Sequence, residues 1–177
     1  MVAVIKEIKA ERLKTQPMNR LLRNAVRRYG RVIQKDMEQL TSTWDDQPVY
    51  KVSTHVTARV PSPSVEVYTT DKRWKWIDKG TKPHAIWAGA YTGKSKAKTL
   101  AFPSIFSPKS RPNKLRAYRG KRGGPTVFRP YVEHPGTKPR NWTRLLEKRH
   151  SKRFRREMEK TMREAVRASR ASPKGGK

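Results

Sequence analysis

The chain has 177 residues, of which 43 are Lys or Arg and 14 are Asp or Glu, giving a formal net charge of +29. Hydrophobic residues make up 34%, and even with the ten glycines added the apolar share stays below the roughly 45–50% of an average soluble domain counted that way, so the core must be small. The absence of cysteine excludes a disulfide frame, a thiolate metal site and a cysteine nucleophile.

A chain of this length predicts one domain, with whatever a thin core leaves over extending as arms and loops. The opening residues, MVAVIKEIKAERLK, break every apolar run with charge, and so do all stretches of membrane length, so neither a signal peptide nor a membrane span is expected. Val4, Ile5, Ile8 and Leu13 suit a short helix or an arm over 1–17, interrupted at Pro17. From Met18 the apolar residues Leu21, Leu22, Ala25, Val26, Tyr29, Val32, Ile33, Met37 and Leu40 recur at spacings of three and four, which predicts a long amphipathic helix. Gly30 in its middle costs about 1 kcal/mol relative to Ala and points to a bend or a close helix contact there.

After a turn at Trp44–Pro48 the period changes to two. Tyr50, Val52, Thr54, Val56, Ala58 and Val60 alternate with polar residues as in a half-buried strand, and Val65–Thr69 is its expected antiparallel return across Pro61–Ser64. The run Trp74-Lys75-Trp76-Ile77 reads as strand-like and leads into Gly80-Thr81-Lys82-Pro83-His84. Between Gly89 and Pro125 regularity is lost except for a short strand at Thr99–Phe102. The stretch Ser107–Pro125 carries Lys109, Arg111, Lys114, Arg116, Arg119, Lys121 and Arg122 and no acid, and is expected to be a long exposed basic loop inserted in the domain. Strand character returns at Thr126–Phe128 and Tyr131–Glu133. Asn141 is a candidate N-cap for a second long helix through Trp142, Leu145, Leu146, Phe154, Met158, Met162, Ala165 and Val166, and residues 169–177 should form a disordered basic tail.

No catalytic constellation accompanies these elements. His55, His84, His134 and His150 lack the spacing of a helical or finger-type metal site, and Gly120–Gly124 lacks the spacing of a phosphate loop, so no metal or cofactor is expected. The few acids lie mostly among bases on helix faces, where ion pairing explains them better than acid/base chemistry, and the chain reads as a non-enzyme. Basic residues on both helices and in the 107–125 stretch predict salt-sensitive attraction to polyanions without any sequence-readout motif. The tryptophans Trp74, Trp76 and Trp87 offer faces for base stacking but read more readily as core or interface residues.

The most specific feature is a repeated GTKP. The first copy lies in Ile77-Asp78-Lys79-Gly80-Thr81-Lys82-Pro83-His84-Ala85-Ile86, the second in His134-Pro135-Gly136-Thr137-Lys138-Pro139, followed by Trp142. This ordered pair, between an N-terminal amphipathic helix and a C-terminal one, resembles the minor tail-component or tail-completion proteins of the head–tail neck of long-tailed phages, over about residues 18–168. Two departures stand out: the aromatic after the second motif is displaced by Arg140-Asn141, and the basic section between the motifs is longer than the pattern.

The resemblance implies an α+β fold, a small antiparallel sheet packed by a long N-terminal and a long C-terminal helix. It further implies a structural, non-enzymatic subunit without cofactor, forming a ring of six or twelve copies. Such a ring joins tail to head and lets DNA pass, is assembled in the host cytoplasm and resides in the virion, with neighbouring neck, connector or tail proteins as partners, DNA in its lumen and no membrane. Its motif loops, with Asp78, Gly80, Thr81, Pro83, His84, His134, Pro135, Gly136, Thr137, Pro139 and Trp142, would support the sheet ends or touch adjacent subunits. The insertion at 89–125 and the arms would contact neighbouring rings. The alternative is a non-specific nucleic-acid-binding protein acting through Arg111, Lys114, Arg116, Arg119, Lys121, Arg122 and the bases of the C-terminal helix.

Overall fold

A computed structural model describes residues 15–56, 62–89 and 98–171. The expectations for residues 1–14, 57–61, 90–97 and 172–177 lie outside the described residues, while 15–17 and 169–171, expected in the arm and the disordered tail, are helical. The fold is α+β. In chain order it comprises α1 (Thr15–Leu40), β1 (Lys51–Val56), β2 (Pro63–Tyr68), α2 (Lys72–Lys79), β3 (His84–Trp87), β4 (Leu100–Ser107), β5 (Lys121–Arg129), β6 (Tyr131–His134) and α3 (Trp142–Ala171). The strands form three two-stranded sheets, β1–β2, β3–β6 and β4–β5. The chain divides into two compact units.

The first unit takes Met1–Ile33, Val52–Val67 and His150–Lys177. Its core follows from the three-and-four spacing on α1. Met18 and Leu22 pack with Ala165 of α3, bordered by Val56, Met162 and Val166. One turn on, Ala25 and Val26 pack with Met158, bordered by Val56, Val65 and Phe154. Leu22 and Val26 are fully buried, and each such side chain contributes about 1.5–3 kcal/mol. Tyr29 closes the row, donating its hydroxyl to the His150 carbonyl at 3.1 Å and meeting the Phe154 ring edge-on at 5.2 Å. The close contact at Gly30 is made with the sheet and not with another helix: a Cβ there would run into Val52 Cγ1 and lie 3.0 Å from Val65 Cγ2.

The second unit takes Gln34–Lys51 and Tyr68–Arg149. Here two sequence expectations are corrected. The run Trp74–Ile77 is helical rather than a strand, because Asp71 caps α2 by accepting the Arg73 amide at 2.8 Å, and the three-and-four spacing then puts Trp74, Ile77 and Asp78 on one face. Trp74 and Asp78 are buried.

The basic stretch is also shorter as a loop than expected. β4 runs to Ser107 and β5 already starts at Lys121, so only 108–120 is loop. The strand was hidden by a bulge, since the antiparallel register passes from Pro103↔Thr126 to Ile105↔Gly123, setting Gly124 and Pro125 against Ser104 alone. Gly124 takes φ 79° and Pro125 has no amide to pair, which are properties that suit a bulge and mask a period of two.

Candidate functional site

The two GTKP segments, 56 residues apart, lie side by side as an antiparallel continuation of β3–β6. The β3–β6 register pairs His84 with His134 and Trp87 with Tyr131, and beyond it Thr81 and Thr137 form a reciprocal bridge: the Thr81 amide donates to the Thr137 carbonyl at 3.0 Å and the Thr137 amide to the Thr81 carbonyl at 3.1 Å. The Thr81 hydroxyl accepts from the Thr137 amide as well, at 3.0 Å. Both glycines take a positive φ, Gly80 at 77° and Gly136 at 83°. A Cβ on Gly80 would strike the Thr137 carbonyl and sit 3.0 Å from the Pro139 nitrogen; one on Gly136 would strike the Thr81 carbonyl and sit 3.0 Å from the Pro83 nitrogen. Each Gly-Thr is thus packed against the proline of the other copy.

The histidines above the bridge are tilted at 32° with ring centroids 5.1 Å apart. His84 donates through Nδ1 to the Lys82 carbonyl at 2.9 Å, whereas His134 accepts through Nδ1 from the Gly136 amide at 3.0 Å, so the two rings carry opposite tautomeric demands. Pro83, Pro135 and Pro139 are exposed. Among the described residues no three His, Asp or Glu side chains gather as a metal site.

Below the bridge, Asp78 joins α2 to the start of α3. Its carbonyl accepts the amides of Arg140 and Asn141 at 3.1 and 3.0 Å, and its Oδ1 accepts that of Thr143 at 3.0 Å. Asn141 occupies the expected cap position at φ 56°, yet its side chain donates to Asn113 at 2.8 Å; the carboxylate that caps α3 is Asp78. Trp142 is fully buried between Trp74, at 5.2 Å, and Trp44, at 6.3 Å, and donates its Nε1 to the Lys114 carbonyl at 3.0 Å.

The 108–120 loop is therefore tied to α3, with the Asn113 amide also donating to the Arg140 carbonyl at 3.1 Å. The bases of this loop and of the start of β5 separate into groups. Arg111 and Arg116 stand 4.7 and 5.9 Å from the Tyr118 ring, and Lys114 engages through its carbonyl. Arg119, Lys121 and Arg122 line a cleft of about 660 Å³ with Trp44, Phe106, His134 and Arg140. Two acids on this cleft are occupied, Asp45 by Lys109 at 2.9 Å and Asp46 by Arg73 at 3.0 Å. The Lys109 ammonium holds the Asp45 carboxyl below the usual carboxylate range, and the guanidinium of Arg73 does the same for Asp71.

Arg140 was not among the residues singled out from sequence, although its position as an insertion between Pro139 and Trp142 marked it. It is 6% exposed, its Nε donates to Ser110 Oγ at 3.0 Å and its Nη1 to the Lys138 carbonyl at 2.7 Å. Burial draws its pKa below the ordinary arginine value.

Large apolar side chains remain exposed on two ribbons: Ile105, Phe106 and Phe128 on β4–β5, and Trp87 stacked on Tyr131 at 4.9 Å on β3–β6. Among the described residues no helix is long and apolar enough to cross a membrane. No family model matches the chain, and no curated protein or solved structure shows significant similarity to it.

Proposed function

We propose that the chain is a structural virion protein of a tailed phage, a tail-completion or head–tail joining subunit that assembles with copies of itself into a ring of six or twelve at the neck. The observation carrying this reading is the closure of the two motif segments on one another through Thr81 and Thr137. Residues that define the resemblance at two distant places in the sequence form a single module, with Asp78 linking it to α3. The exposed ribbons support it further. A two-stranded sheet with large apolar side chains facing water is marginal alone and is completed when a neighbouring strand or face covers it.

In this reading the partners are further copies and adjoining neck, connector or tail proteins, with DNA passing through the lumen, and the protein resides in the virion. Electron micrographs of the purified chain should show ring-shaped particles, and a virion reconstruction should locate it at the joint. A protein that stays monomeric at high concentration and is absent from purified virions would overturn the assignment.

A further inference from the structure

The cleft of the second unit contains a buried cation that no carboxylate among the described residues neutralises. Arg140 lines it at 6% exposure. Its Nε and Nη1 are engaged by neutral oxygens of Ser110 and Lys138, and among the described residues its Nη2 takes no acceptor and no carboxylate pairs with it. A guanidinium withdrawn from water without a counter-charge is costly, and the cost is recovered when an anion fills the space in front of it. Ser110 accepts from Arg140 and is itself buried, which leaves its hydroxyl hydrogen to donate. Along the same walls Arg119, Lys121 and Arg122 have no ion-pair partner among the described residues, while Asp45 and Asp46 are held by Lys109 and Arg73.

We propose that this cleft binds a phosphate group carried by a nucleotide or a nucleic acid strand, seated on Arg140 and Ser110 and flanked by Lys121 and Arg122. Arg140, Arg119 and Lys121 have no acidic partner among the described residues and Arg122 meets Asp45 only through space, so the positive charge exceeds what one carboxylate offsets, and a phosphate presents several acceptor oxygens to a planar guanidinium fork. Phe106, on the cleft wall and 66% exposed, offers a flat face to an attached base. The inference stands apart from the neck assignment and survives its failure.

The test uses the full chain and a labelled single-stranded oligodeoxynucleotide followed by fluorescence anisotropy at fixed salt. Arg140→Gln and the double variant Lys121→Ser/Arg122→Ser should each weaken binding by about tenfold or more, the loss expected for charge-assisted hydrogen bonds. Arg20→Ser/Arg27→Ser, which removes the same charge from α1 and lies outside the cleft, should change it by less than about threefold. Because Arg140 also holds the 108–120 loop, a variant there that does not fold leaves the Lys121/Arg122 pair to decide. Displacement of the oligonucleotide by a nucleoside monophosphate identifies a free nucleotide as a ligand, and displacement by a strand alone identifies the polymer. Equal losses in the two double variants would overturn the proposal in favour of diffuse charge. Equally effective displacement by a glutamate-rich peptide would overturn it in favour of a carboxylate ligand.

Discussion

Asp78 caps a helix to which it does not belong: from the last turn of α2 its carboxylate accepts the Thr143 amide at the start of α3, at 3.0 Å. The side chain is buried, and its charge faces the positive end of the α3 dipole. Asp78→Ala should therefore destabilise the protein by about 1–2 kcal/mol, and Asp78→Asn, which keeps an acceptor oxygen, by clearly less. Urea unfolding of both variants checks this. Equal losses would mean that the acceptor contributes nothing and the carboxylate acts only as a charge.

The Gly-Thr bridge makes a different prediction, about additivity. Gly80→Ala and Gly136→Ala each place a Cβ at a positive φ and against a carbonyl of the opposite copy, so each should cost about 2 kcal/mol or more. Both substitutions open the same pair of hydrogen bonds between Thr81 and Thr137. The double variant should then lose less than the sum of the singles by more than about 0.5 kcal/mol. Strict additivity in a double-mutant cycle would show that the two glycines act on separate structures.

Elements whose hydrophobic period is uninterrupted were legible, and those decided by a single residue were not. α1 and α3 follow from repeated three-and-four spacing over many turns. α2 does not, because Trp74, Trp76 and Ile77 favour a strand locally, against the Asp71 cap that starts the helix. The repeated GTKP announced itself, but its reciprocal pairing depends on contacts 56 residues apart that no local pattern encodes. Arg140 escaped for a related reason: among 43 basic residues, composition does not distinguish one that folding buries. Its only signal was the two-residue displacement of Trp142, which the structure explains by the tie between Arg140, Asn141 and the 108–120 loop.

Tyr50 should govern stability at alkaline pH. Burial is the main cause that pushes its phenol up to about 12, against a smaller opposite effect of the bond to Thr41 Oγ1 at 3.2 Å. The folded state then holds the proton more tightly than the unfolded chain, whose tyrosine ionises near 10. The stability it contributes is fully present below about pH 10 and falls away as the pH rises toward about 12. Tyr50→Phe should flatten the alkaline limb of a stability-against-pH curve. A limb unchanged in that variant would assign the loss to another group.

Gly30 lets α1 lie directly against Val52 and Val65 of the β1–β2 sheet. In an exposed helix interior, Gly→Ala gains about 1 kcal/mol in propensity. Here the added methyl would collide with Val52 Cγ1, and overpacking costs about 1–3 kcal/mol, so Gly30→Ala should be destabilising on balance. Val52→Ala alone should also destabilise, by leaving space above the glycine. Together the two changes are complementary, since the new methyl on α1 enters the volume that the valine vacates. The double variant should exceed the sum of the single effects in stability by about 1 kcal/mol or more, measured by denaturant unfolding of all four proteins. Additive losses would place Val52 too far from the helix to be the residue that requires glycine at position 30.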